Sequence, residues 1–368
     1  MERWRSDCGC RVDGQSNPSQ AWRTPLRAGL EVLAAGLHAI FEEEGATLLS
    51  DPWAARDAWG GVVSSQDLMD RARFLSAWLL PAVSAEGRSR ALELLEMERD
   101  AMRMFTSCAW FFDDIGGLEV RQVLQYAMRG LALSEARDAL EPVFRRTLGG
   151  AHSNHATVGT GADVYDSLQH EATPEERVAA AARTLHDLRL PVEDHLPPGM
   201  DATVDGDAVH VIVRTSGRTR AFEVVLARRT SSDLAYKVTS VDGDATMGRT
   251  IPLWEYPERS RFAIRAALRR ALLPRCLTLA ELEQLASGEA SLRGLVAVAL
   301  TRAIDRLAAD RGDDAMGVVH AALDLFEQLE TNIPFDAQTA WWRVLELLPP
   351  ADHPSLSTLS TRLGFAAG

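Results

Sequence analysis

The sequence predicts a mainly α fold: a multi-helix domain interrupted by a small antiparallel β insert. Two patterns carry that reading. Apolar residues recur at helical spacing before residue 190 and again from Pro257 onward. Between these stretches Val209, Val211 and Val213 alternate with His210, Ile212 and Arg214. The first spacing lays one apolar stripe along a helix, and the second turns one face of a strand inward. The expected domains are a helical one over 1–190, a β insert over 191–256, and a C-terminal helical part over 257–368.

The first 25 residues read as irregular, with Trp4, Gly9, Gly14, Pro18, Trp22 and Pro25. A helix is expected from Pro25 to Glu44, because Leu26, Leu30, Leu33, Leu37 and Phe41 share a stripe. Pro suits its first turn and Gly45 its end. Asp51-Pro52-Trp53 opens a segment containing Trp59. Helices are expected over 67–80 and 88–105. A long one is expected over 118–148, where Val120, Val123, Leu124, Ala127 and Leu131 align and Gly149-Gly150 follows. Residues 149–162 read as a loop, and 174–188 as a helix begun by Pro174 and two glutamates.

Three strands are expected in the insert: 208–214, 221–227, and a run of Leu234, Tyr236 and Val238, with Ser216-Gly217-Arg218 as a turn. In the last part Ile264, Leu268 and Leu272 form one stripe. Thr278 with Glu281 reads as a capping box. Met316, Val319, Leu323 and Phe326 mark one further helix. Ala337, Trp341, Val344, Leu345 and Leu348 mark another, with Asp336 as its expected N-cap.

The chain has 368 residues, 46% hydrophobic and 25% charged, which suits a soluble globular protein. Its net charge is −13. That argues against nucleic acid, since a basic face supplies most of such affinity. It is compatible with a neutral ligand such as a sugar. No apolar run reaches the roughly 18 residues needed to cross a bilayer, so no membrane partner is expected. The start lacks an apolar leader, and a cytoplasmic location is the expectation.

Four cysteines occur, at 8, 10, 108 and 276. Cys8-Gly9-Cys10 could be half of a metal site. Zinc pairs, however, are spaced by about two to four residues and need a second pair, which is missing. His152 and His155 sit in the predicted loop without a third ligand. No cofactor is expected, and no nucleophile elbow, P-loop or dinucleotide-binding glycine pattern is present.

One stretch stands apart: Thr106-Ser107-Cys108-Ala109-Trp110-Phe111-Phe112-Asp113-Asp114-Ile115-Gly116-Gly117. Its aromatics, acids and glycines interrupt two helices. An indole face can cover the apolar side of a pyranose, and carboxylates can accept its hydroxyl hydrogen bonds. Phe111 and Phe112 are read as core. Asp113 and Asp114 are read either as sugar acceptors or as caps of the helix starting near Leu118. Trp110 stays open between core and groove.

This run, with Glu119, Gln122 to Ala127 and Arg129 after it, resembles the domain of unknown function 3536 found after the catalytic module of glycoside hydrolase family 57-like proteins. Ala109 and Gly116 stand where that family usually has Gly and Ser. Arg3-Trp4-Arg5-Ser6-Asp7-Cys8-Gly9-Cys10, Gln20 to Arg27, Asp51 to Asp57 and Leu363-Gly364-Phe365 also resemble its blocks. The likeness is strong over 3–130 and loose elsewhere.

The resemblance implies an accessory helical part of an α-glucan-active protein, completing a substrate groove beside a family 57-type catalytic barrel. Trp110, Asp113, Asp114, Trp4 and Trp22 would be the substrate-binding residues. Family 57 enzymes retain configuration, which needs two carboxyl groups about 5–5.5 Å apart. No strand–helix alternation here suggests that barrel, so no catalytic residue is carried over. The barrel is expected upstream in the same gene or as a separate chain. The alternative reading is a structural or interaction protein without sugar contact, in which the motif is core and an apolar patch within residues 1–60 meets the partner.

Overall fold

The computed structural model describes residues 4–9, 19–65, 68–229, 234–241, 248–310, 313–329, 331–347 and 354–365. Cys10, Gly14 and Pro18 lie outside them. The chain divides into two compact units. The first holds residues 1–173 with 199–201 and 212–219, and the second holds the rest. Among the described residues no helix is long and apolar enough to cross a membrane.

The first unit is helical: α1 (Arg23–Leu48), α2 (Pro52–Ser64), α3 (Leu68–Trp78), α4 (Ala85–Arg103), α5 (Leu118–Ser134), α6 (Arg137–Leu148) and α7 (Gly161–Gln169). The predicted stripe of α1 is its buried face. The helix runs through Gly45 rather than ending there, since Gly45 faces Pro52 closely enough that a Cβ would approach within 3.2 Å. Close approach also brings α1 against α5 and α6. A Cβ on Gly130 would meet Leu37 at 2.9 Å, and one on Gly36 would overlap Leu140. Asp51 caps α2 by accepting the Ala54 N–H at 3.0 Å.

The expected long helix over 118–148 is two helices. Ser134 ends α5, and Glu135 takes a left-handed φ of 56°. Leu140, Phe144 and Leu148 on α6 then turn onto α1. α4 lies at the centre, packed on α1, α2 and α5. The predicted loop gives way to α7, whose Thr160 and Asp163 form a capping box.

In the second unit α8 (Pro174–Asp187) and α9 (Val192–His195) precede a meander, some of whose strand ends count with the first unit: β1 (Met200–Asp205), β2 (Ala208–Val213), β3 (Thr219–Arg229), β4 (Leu234–Ser240) and β5 (Arg249–Pro252), paired in chain order. The pairs β3/β4 and β4/β5 are antiparallel, with Val224 opposite Val238 and Tyr236 opposite Ile251. Val209, Val211, Phe222, Val224 and Val238 turn to the buried face, whereas Val213 is only half-buried and Leu226 is exposed.

α8 packs on β4 and on α10 (Glu258–Cys276). Then come α11 (Leu279–Ser287), α12 (Leu292–Asp310), α13 (Asp313–Gln328), α14 (Phe335–Leu347) and α15 (Pro354–Arg362). Thr278 and Glu281 make the expected capping box. Asp336 lies within the first turn of α14 rather than capping it, because the helix starts one residue earlier. A second apolar core, around Leu300, Ile304, Phe326 and Trp341, joins α10, α12, α13, α14 and α15.

Candidate functional site

α4 ends at Arg103, and Ser107–Trp110 makes one 3-10 turn. That turn decides which aromatics face inward. Trp110 is driven into the core at 0% exposure, where it stacks on Trp22 with centroids 6.5 Å apart and planes 9° from parallel. The Trp22 indole N–H donates to the Asp113 carbonyl at 3.2 Å. The Trp110 N–H is buried and meets no acceptor among the described residues. Neither indole keeps a free face, so the expectation that Trp22 and Trp110 wall a sugar groove is corrected: both are core.

The two phenylalanines reverse their expected role as well. Phe111 is 49% and Phe112 38% exposed, packed edge-to-face at 5.3 Å. A sharp turn that sends the indole inward sends the next residues outward.

The acids are occupied by the protein. Asp113 is buried, and one of its oxygens accepts Gln20 Nε2 at 2.8 Å. Asp114 accepts the Gly116 N–H at 2.7 Å, the Asn154 N–H at 2.7 Å and the Ser153 hydroxyl at 2.8 Å. Neither caps α5, whose N-cap is Gly117 without a side-chain bond. Three donors on one carboxylate leave Asp114 little capacity for a sugar hydroxyl, and Asp113 is closed off by burial.

Around these acids three chain segments are tied together. Arg23, buried at the start of α1, donates to the Phe112 carbonyl at 3.0 Å and to Gln20 Oε1 at 2.5 Å. Asp7 accepts the N–H groups of Gly9 at 2.9 Å and Gln20 at 3.3 Å. Asn154 donates to the carbonyls of Ser19 at 3.0 Å and Asp113 at 2.7 Å, and accepts the Ser19 N–H at 2.8 Å. Cys8 Sγ lies 3.6 Å from both Gln20 Oε1 and Arg23 Nη1. Trp4 is 44% exposed in the same N-terminal segment. A partly buried polar network that ties distant segments together in this way favours one chain path. His155 serves it only through its backbone, donating to the Ser153 hydroxyl at 2.9 Å. Among the described residues no group of three or more His, Cys, Asp and Glu could hold a metal ion.

Sequence reasoning missed a set of buried acids on α4. The carboxylate oxygens of fully buried Glu98 lie 2.8 and 3.0 Å from His38 Nδ1. The ring is half-exposed and edge-on to Trp53 at 5.8 Å, whose face carries Arg56 at 4.9 Å. Glu96 accepts the Trp59 N–H at 2.8 Å. Burial pushes the Asp100 carboxyl above its ordinary value, against the opposing charges of Arg129 and Arg103. Their only sequence signal is three alternating acids in a helix otherwise rich in Leu and Met. A buried carboxylate that orients a half-exposed imidazole can position it for proton transfer.

Residues 19–188 match one family model. It is described as Domain of unknown function (DUF3536). The DUF3536 stretch runs from Ser19 through α8 and contains Gln20, Trp22, Arg23, Trp110, Asp113, Asp114 and Asn154, but not Trp4 or Cys8. No curated protein and no solved structure matches the chain.

Proposed function

We propose that this chain is the accessory helical part of an α-glucan-active assembly of the glycoside hydrolase family 57-like kind, and that it meets the catalytic barrel through its Phe111–Phe112 face. The observation that carries this reading is a rigidly presented apolar pair. Hydrogen bonds from Arg23 to the Phe112 carbonyl and from Trp22 and Asn154 to the Asp113 carbonyl pin the backbone just beneath it. Two half-exposed phenylalanines held this way forgo burial that a partner can restore. The motif's resemblance to the module that follows the barrel in family 57-like proteins supports the choice of partner. In this arrangement the barrel supplies the chemistry, and the sugar is not stacked on Trp110.

The burial of Trp22 and Trp110 favours a second reading, a purely structural module without sugar contact. One experiment separates the two. Phe111→Ser with Phe112→Ser is compared with wild type for capture of a separately produced family 57-type barrel and for α-glucan activity of the mixture. The proposal expects capture and activity, both falling at least tenfold in the double variant. Capture with no effect on activity supports the structural module. Equal capture by wild type and variant, or none by either, overturns the docking role of this face.

A further inference from the structure

In the second unit the last turn of α10, the link to α11, and parts of α12 and α13 enclose a cavity of about 460 Å³. That lies within the roughly 300–1,000 Å³ of small-molecule sites. Leu277, Ala299 and Ala303 are buried and form an apolar floor, with Ala315 and Val318 half-buried beside them. The rim is basic. Arg275 comes from the end of α10, and Arg302 and Arg306 lie one turn apart on α12.

Arg302 is already engaged. Its two Nη atoms reach the Glu281 carboxylate at 2.7 and 3.0 Å. Arg275 and Arg306 are exposed, and among the described residues neither has a hydrogen-bond or ion-pair partner. Arg302 and Arg306 also border an adjoining groove, which Asp305, Asp336, Val298 and Pro334 line with them. This concentration of guanidinium groups runs against a chain that carries 52 acids to 39 basic residues. Like charges on one rim repel each other, and an anion between them relieves that repulsion while accepting forked, charge-assisted hydrogen bonds. The apolar floor has no use for a bare anion; it suits a short hydrocarbon body.

We propose that this cavity binds a small organic acid, with its carboxylate between Arg275 and Arg306 and its apolar body on Leu277, Ala299 and Ala303. The site is independent of the Phe111–Phe112 face.

The test titrates the full chain with hexanoate, hexanol and inorganic phosphate, following heat of binding and melting temperature. Ligand that binds only the folded form raises the melting point saturably. The expected result is saturable hexanoate binding that weakens at least tenfold in Arg275→Gln with Arg306→Gln, while hexanol gives none. Both side chains are exposed, so the variant should fold, with an unliganded melting temperature at or slightly above wild type as the like-charge repulsion is relieved. Val318→Trp, which narrows the cavity and keeps both arginines, should also abolish hexanoate binding. Hexanoate binding that is absent, or undiminished in the arginine variant, overturns the proposal. Phosphate binding as tightly as hexanoate overturns the organic-acid class.

Discussion

Trp110 is the residue whose truncation says most about the first unit. Trp110→Ala removes a whole indole from a site with 0% exposure. Large-to-small truncations of this kind cost about 3–5 kcal/mol, and the stacked partner Trp22 loses its neighbour as part of that cost. One contribution runs the other way. The Trp110 N–H is buried without an acceptor, and losing it returns about 1 kcal/mol of desolvation. The net expectation is a loss of about 2–4 kcal/mol. Trp110→Phe relieves the same orphan donor while keeping an aromatic ring against Trp22, so its loss should be only about 1 kcal/mol. Urea unfolding followed by circular dichroism gives both values from the midpoint and slope. If Trp110→Ala leaves the transition where it was, the core assignment is refuted and the groove reading of this indole returns.

Two further substitutions test local features. Glu135 holds a left-handed φ of 56° with its side chain largely exposed, so Glu135→Gly should raise stability by about 0.5–1 kcal/mol. A melting temperature that stays put or falls would show that no strain is stored there. Glu281 is the pH test. The hydrogen-bonded Arg302 guanidinium holds its carboxyl down to about 2 from an ordinary 4.5. A depressed acid contributes stability that is complete above pH 4.5 and is lost as pH falls toward about 2. Glu281→Gln should therefore cost about 1 kcal/mol at neutral pH, in the range of solvent-screened pairs, and flatten the acid limb of the stability curve. An acid limb identical to wild type would sink the assignment.

The helical framework was legible where periodicity and end signals agreed. The stripe Leu26 to Phe41 gave α1, and Thr278 with Glu281 gave the start of α11. The sheet was half legible. Buried residues alternate in β2 and β3, β4 buries Leu234 to Tyr236 in a row before Val238, β1 has no fully buried residue and β5 buries Ile251 alone, so neither of the last two carries the signal. No Gly or Pro stands at the break at Glu135 itself, but the stripe that ends at Leu131 does not continue: Leu140, Phe144 and Leu148 fall on a new register, and Pro142 lies between them. At the start of α7, Thr160 and Asp163 spell a cap inside a stretch whose Gly, His, Ser and Asn content reads as loop.

At the motif, composition identified an unusual segment but not its orientation. Three aromatics in a row do not reveal which one a 3-10 turn sends inward. The acids likewise read as ligands or caps because their true partners, Gln20, Ser153 and Asn154, are distant in sequence. His38 with Glu98 escaped for the same reason: the contact joins two helices 60 positions apart.

The knot around Asp113 also constrains how this unit comes into being. Its ties bridge separations of 93 residues from Gln20 to Asp113, 41 from Asp113 to Asn154, and 135 from Ser19 to Asn154. Closing such long loops is entropically slow compared with winding a helix. During synthesis α1 can form early, yet Trp22 has no stacking mate until position 110 has emerged, and Asp114 has no hydroxyl donor until Ser153 follows. A nascent chain halted between these points would carry an unsheltered indole and a half-satisfied carboxylate, the kind of species that chaperones recognise.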